Sequence, residues 1–327
     1  MKLNLKQKKI LKLISINCRF TNKDIAKSVG MSEDAVAYQI NKLIIEKKLA
    51  RFNVQFFFPM LSYESYHIWL RLKEEDIKKL KDIKDIHSIN KSNGKYDCQI
   101  LVFAKSQRDF RNILKQIKKK VSIQQINYAK VINNYKNFSN VITLLDIPVK
   151  IPKNKKKFEY VLNDIQYAKV DFDTRLSIDK TDKKIIKSLL EHPRASFQKL
   201  AHLTGLNHET IRYRMKIFVK EKLITNFGLI HNFDKYGIYV NYFLINIDEK
   251  NIKEFLNYIN SINNVFYCAK LSGDYNCIVY VASSNPIELG EINSNIRKSL
   301  GNSIKDFDML FLREILKYEQ FPQRLFG

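Results

Sequence analysis

The segment "NHETIRYRMKIF", Asn207 to Phe218, gathers His208, Arg212, Tyr213, Arg214 and Lys216 on one short stretch. A guanidinium group presents two parallel donors that fit O6 and N7 of guanine, and it clamps a phosphate equally well. Side chains of this kind on a helix point to recognition of a polyanion, above all in the major groove of a DNA duplex. A segment 175 positions earlier offers Tyr38, Gln39, Asn41 and Lys42, with Gln and Asn amides suited to adenine. Both segments belong to a longer repeat, since Arg19–Leu43 aligns without a gap on Arg194–Phe218 and repeats Arg19/Arg194, Ala26/Ala201, Gly30/Gly205 and Tyr38/Tyr213. Only the second copy is arginine-rich, so it is expected to dominate binding, while the first assists or has diverged.

The whole chain suits such a partner. Lys and Arg number 57 against 33 Asp and Glu in 327 residues, a formal charge of +24, which attracts DNA, RNA and anionic membranes alike. A lysine-biased composition would give the same charge, so the motifs must decide. Other chemistries lack their residues. His67, His87, His192, His202 and His231 stand at no metal-ligand spacing, and Cys18, Cys98, Cys268 and Cys277 form no C-x-x-C pair. Neither a Gly-rich phosphate loop nor a G-x-S-x-G elbow occurs. No catalytic residue, metal or cofactor is expected. With reduced thiols, no apolar run near the ~18 residues of a membrane span and no signal-peptide core, the expected location is the cytoplasm.

The elements that position the two segments can be read from periodicity. Ile10, Leu11, Leu13 and Ile14 share a helical face, as do Ile185, Ile186, Leu189 and Leu190. "TNKDIAKSVG" and "SFQKLAHLTG" read as second helices, capped at Thr21 or Ser196 and stopped at Gly30 or Gly205. Ser32 or Asn207 then caps a third helix, whose apolar positions are Val36, Ile40 and Leu43, or Ile211, Met215 and Phe218. With the β-rich stretches "LARFNVQFFF" and "LITNFGLIHNF" behind them, both copies read as winged helix-turn-helix domains.

The C-terminal part of each copy repeats as well, in the order β-α-β-β-α-β of a ferredoxin-like sandwich. "YHIWLRL" and "VNYFLINI" alternate as strands, "NGKYDCQILVFA" and "SGDYNCIVYVA" read as a turn leading into a strand, and "INYAKVI" and "FDMLFL" close each copy. Phe110, Ile113, Leu114 and Ile117 make a helical stripe, mirrored more loosely by Leu289, Ile292 and Ile296. The fold class is therefore α+β, two winged helix-turn-helix domains (1–60 and 176–235) alternating with two ferredoxin-like βαββαβ sandwiches (61–148 and 236–327), joined by a basic linker over 149–175. The halves are expected to pair through the sheet faces bearing Ile68, Leu70 and Leu72, and Phe243, Ile245 and Ile247.

At "IDKTDKKII", Arg194 and "LAHLTGLN", and at the turns "GKYD" and "GDYN", the chain resembles the Lrp/AsnC family of transcription regulators, duplicated in tandem. The resemblance implies DNA-binding winged helices joined to oligomerising RAM domains. It also implies a small-molecule effector such as an amino acid near the Gly turns, at Gly94, Tyr96, Asp97, Gly273, Asp274 and Tyr275. Two copies in one chain would form an intramolecular pseudo-dimer or a higher oligomer. The chain departs from the pattern at Lys47 and Lys222, which replace a glycine after the third helix, at Gln39, where arginine is usual, and at Asn276, which replaces a carboxylate. Glu33 and Asp34 put negative charge at the start of the first recognition segment. Two alternatives stand beside the regulator: a sensor or scaffold that does not bind DNA, and an enzyme built on the fold, as in the siroheme decarboxylases that also resemble the family.

Overall fold

The structure, a computed structural model, describes residues 3–46, 49–136, 147–152, 175–231, 233–319, 321–322 and 326. The linker expected over 149–175 lies for the most part outside the described residues, as does Lys47. The described residues within Met1–Leu61, Ile142–Ile165 and Asp173–Gly237 form one compact unit, and those within Ser62–Val141, Gln166–Phe172 and Ile238–Gly327 form a second. Each unit therefore takes like parts from both copies.

The first unit contains α1 (Leu5–Ile16), α2 (Asn22–Val29), α3 (Glu33–Ile45) and β1 (Leu49–Phe56), then α6 (Lys180–Glu191), α7 (Phe197–Thr204), α8 (His208–Lys220), β6 (Ile224–His231) and the short α9 (Phe233–Tyr236). From α1 to β1 every boundary recurs 175 residues later, because the stop and start signals recur. Asn4 and Asp179 cap α1 and α6 in reciprocal boxes with Gln7 and Asp182, and Gly30 and Gly205 end α2 and α7 in the left-handed conformation. Ile10, Leu11, Leu13, Ile14, Ile25, Val36, Ile40 and Leu43 are buried together in the first copy.

The stretches expected to form a wing within each copy behave differently. Each gives one strand, and β1 pairs antiparallel with β6 in a two-stranded sheet, Phe52 opposite Leu229 and Val54 opposite Phe227. A single strand leaves a row of unpaired backbone groups, and the matching strand of the other copy satisfies them.

The second unit contains β2 (Glu64–Arg71), α4 (Glu74–Lys79), β3 (Ile86–Asn93), β4 (Cys98–Ala104), α5 (Gln107–Lys120) and β5 (Gln125–Lys136), then β7 (Tyr239–Ile247), α10 (Ile252–Ser261), β8 (Val265–Ser272), β9 (Cys277–Ser283), α11 (Pro286–Leu300) and β10 (Ile304–Tyr318). Each half keeps the ferredoxin-like strand order, but the two sheets join edge to edge into a closed barrel, β10-β3-β4-β2-β5-β8-β9-β7. The long last strands make the junctions. β5 pairs with β2 from Gln125 to Lys130 and with β8 from Lys130 to Lys136, while β10 pairs with β7 and then with β3. Closure leaves no free sheet edge.

The expected pairing faces are corrected here. Ile68, Leu70 and Leu72 lie under α4 and α5 with Ile77, Phe110, Ile113 and Ile117, and Phe243, Ile245 and Ile247 lie under α10 and α11 with Phe255, Leu256 and Ile296. Period-two alternation gives a strand two faces, and these more apolar ones go to the amphipathic helices. The opposite faces meet across the halves and carry polar atoms. Gln99 Nε2 lies 2.8 Å from His67 Nδ1, His67 Nε2 lies 3.3 Å from Tyr267 Oη, and Tyr280 Oη donates to Gln99 Oε1 at 2.6 Å. Burial holds His67 neutral, its pKa pulled down to about 3.

Candidate nucleic-acid interface

In each first-unit copy, two helices and a turn present a third helix by its outer side. Val36, Ile40 and Leu43 of α3, and Ile211, Met215 and Phe218 of α8, are buried, so the other face of each helix turns outward. Tyr38 and Tyr213 project alike, each 62% exposed. On α8 the exposed face carries His208, Arg212, Tyr213 and Lys216; on α3 it carries Glu33, Asp34, Tyr38 and Asn41. Arg212 Nη1 lies 3.7 Å from Glu209 one turn earlier, and His208 Nδ1 lies 3.4 Å from the same carboxylate. Lys42, half-buried, reaches Glu46 at 3.9 Å.

Arg214 does not join that outward set. Its Nη2 lies 2.9 Å from Asp179 Oδ2 and its Nη1 3.2 Å from Asp182 Oδ1, so it ties α8 to the N-terminus of α6. The side chain of Asp182 is 4% exposed. Burial pushes its pKa up even with Arg214 beside it, whereas Asp179 is pulled down first by the backbone N–H of Asp182 and then by Arg214. The first copy makes the same link without charge: Gln7 Nε2 donates to Gln39 Oε1 at 3.2 Å, and Gln7 shares the capping box with Asn4. Asn4, Gln7 and Gln39 thus stand where Asp179, Asp182 and Arg214 stand. The exchange is visible in the sequence at the constant offset of 175, once the three positions are compared as a set.

Sequence reasoning also missed a clasp. Arg19 donates from Nη1 to Pro193 O at 2.9 Å and from Nη2 to Ala195 O at 2.6 Å, in the other copy. In return Arg194 Nη2 donates to Phe20 O at 3.2 Å and to Asn22 Oδ1 at 3.0 Å. Each guanidinium also lies near a ring of the opposite copy, Arg19 5.3 Å from Phe227 and Arg194 5.0 Å from Phe52. The recurring arginine joins the two copies to each other.

In the second unit, the two Gly turns are built into the barrel. A Cβ on Gly94 would stand 2.7 Å from Met309 O, and one on Gly273 would stand 2.9 Å from Tyr128 O, so each turn is pressed against the last strand of the other half. Tyr96 and Tyr275 are buried. Asp97 Oδ2 accepts from the Leu72 N–H at 3.0 Å, and Asn276 does the same for Ile247 at 3.0 Å while donating to Ile247 O at 2.7 Å. The amide therefore serves where the carboxylate stood. The turns differ in charge: Lys95 Nζ lies 2.8 Å from Asp308 Oδ2 and 2.7 Å from Tyr275 Oη, whereas Asp274 accepts from Asn127 at 2.8 Å.

The geometry of two helix-turn-helix copies accords with relatives at the level of sequence. Residues 178–217 match the AsnC-type helix-turn-helix domain, and residues 3–44 match the winged helix-turn-helix DNA-binding family. The chain is Lrp/AsnC-like, in two tandem copies. An uncharacterised HTH-type transcriptional regulator from Pyrococcus horikoshii is 27% identical over 119 residues, 35% of this chain and 79% of that protein. Another from Pyrococcus furiosus is 25% identical over 145 residues, 43% of this Lrp/AsnC-like chain and 97% of that protein, so such relatives are the length of one copy. The siroheme decarboxylase NirDL has a similar fold over 98% of this chain and 96% of its own, with a TM-score of 0.60 and 13% identity. Among the described residues of this Lrp/AsnC-like protein, no helix is long and apolar enough to cross a membrane, and no group of three His, Cys, Asp or Glu side chains is placed to hold a metal ion.

Proposed function

We propose that the chain is a transcription regulator that binds double-stranded DNA sequence-specifically, as an intramolecular pseudo-dimer, with α8 carrying most of the reading. The observation behind this is the outward face of α8, where Arg212, Tyr213 and Lys216 stand exposed at the outer side of a helix-turn-helix. Arg212 is the side chain we assign to base or phosphate contact; its exposed pairing with Glu209 is weak enough to be exchanged for a phosphate. Arg214 supports the helix from behind. On α3, Glu33 and Asp34 repel phosphate at the helix start, so Tyr38 and Asn41 make the smaller contribution.

At the Gly turns, Gly94, Tyr96, Asp97, Gly273 and Tyr275 hold the barrel together in our reading, which favours a structural role there over direct effector contact. The test is titration of a labelled duplex at several salt concentrations, on sites found by genome-wide mapping. Log K should fall with log salt at about −0.9 per phosphate neutralised. No binding at low ionic strength would remove the reading. A tetrapyrrole absorption band in the purified protein would favour the enzymatic alternative instead.

A further inference from the structure

The second unit carries a charged face that the winged helices do not account for. Helix α5 holds Arg108, Arg111, Lys115, Lys118, Lys119 and Lys120 against one acid, Asp109. Arg108, Arg111, Lys115 and Lys118 recur every three or four residues, so they form one stripe of about 16 Å. All four are exposed, and the buried side of the helix is Phe110, Ile113, Leu114 and Ile117. At the C-terminal end two carboxylates face the helix, Asp82 pairing with Lys120 at 3.2 Å and Asp85 accepting from Gln116 at 3.4 Å; Arg111 donates to Gln107 at 3.0 Å.

Compositional bias does not explain the stripe. Helix α11 occupies the same place in the other half, yet has Ile287, Gly290 and Ser294 at the positions of Arg108, Arg111 and Lys115, and its Arg297 and Lys298 are balanced by Glu288 and Glu291. Helix stability does not explain it either. Cations belong at the C-terminal end of a helix, where Lys118, Lys119 and Lys120 sit, whereas Arg108 lies in the first turn against the positive end of the helix dipole.

We propose that α5 is a second DNA-contacting face, which grips the phosphate backbone without reading bases. This rests on the DNA-binding reading above. Along a duplex, a stripe of about 16 Å faces about five phosphates of each strand. The polar residues between the charges are Gln107, Asn112 and Gln116, and α5 itself has no exposed apolar side chain, which fits a phosphate backbone and gives a bilayer little to bury.

Full-length R108Q/R111Q/K115Q should be compared with K250Q/K253Q/K298Q, which removes the same charge from the other half of the barrel. On one duplex, the α5 triple is expected to flatten the salt slope by about 2 to 3 and to weaken binding at least tenfold at moderate salt, with the control triple close to wild type. Equal effects of the two triples, or none, would overturn the second face while leaving the winged-helix reading intact. Wild-type protein that ignores duplex DNA would overturn both. Loss of binding to phosphatidylserine vesicles in the α5 triple, with duplex binding unchanged, would assign the stripe to a membrane and overturn the proposal.

Discussion

The two winged-helix copies share one backbone plan and solve one joint in two chemistries. Where α1 meets α3, Asn4, Gln7 and Gln39 make a neutral hydrogen-bonded link; where α6 meets α8, Asp179, Asp182 and Arg214 make a charged one. The difference teaches that an arginine on the third helix of such a copy does not by itself face outward. Asp182 is nearly buried, and a buried carboxylate needs a partner. Arg214 is that partner, so the arginine excess of the second copy is in part structural, and Arg212 is left as the outward guanidinium of α8.

The largest expected effect lies in the barrel, where the copies differ at His67 and its counterpart Tyr242. The folded pKa of His67 is about 3, below the ~6.5 of an unfolded histidine, so the unfolded chain binds the extra proton. Stability from this group is full above about pH 6.5 and is lost as pH falls toward 3, at about 1.4 kcal/mol per pH unit. Urea melts of wild type and His67→Gln between pH 7 and 4 should differ in slope by that amount. Parallel slopes would show that His67 is not buried as described.

Next comes the joint itself. Arg214→Ala should lower stability by about 2 kcal/mol, since it strands Asp182, while Gln39→Ala should cost about 1 kcal/mol or less. The triple exchange D179N/D182Q/R214Q should recover most of the loss, because it installs the first copy's link. Failure to recover would break the equivalence drawn between the two joints.

In binding, Arg212→Ala should weaken a selected duplex about tenfold, near 1.4 kcal/mol, with the fold intact by thermal melt. Asn41→Ala should change it less. If Asn41→Ala abolishes binding and Arg212→Ala does not, α3 is the reading helix.

The smallest effect is at Lys222, which holds φ at +60° where the resemblance expects glycine. Lys222→Gly should stabilise the protein by about 0.5–1 kcal/mol, measured as a rise in melting temperature.

Much was legible in the residues. Capping signals at Thr21, Ser32, Ser196 and Asn207, the glycine stops and the apolar periodicities determined the helices and their repetition, because those are local preferences of a few neighbouring residues. The outward positions of Tyr38, Arg212 and Tyr213 came from helical periodicity. What the sequence left open were contacts between residues about 130 to 180 positions apart: β1 with β6, Arg19 with the 193–195 turn, and β5 with β8. The alternation in β2 and β7 showed two faces but not which one would meet helices, and the structure gave the helices Ile68 and Phe243 while sending His67 and Gln99 to the other half. Likewise only the fold brings Asp179 and Asp182 to Arg214. A sequence determines which elements form; which surfaces find each other depends on the whole set of buried groups being satisfied at once, and that balance exists only in three dimensions.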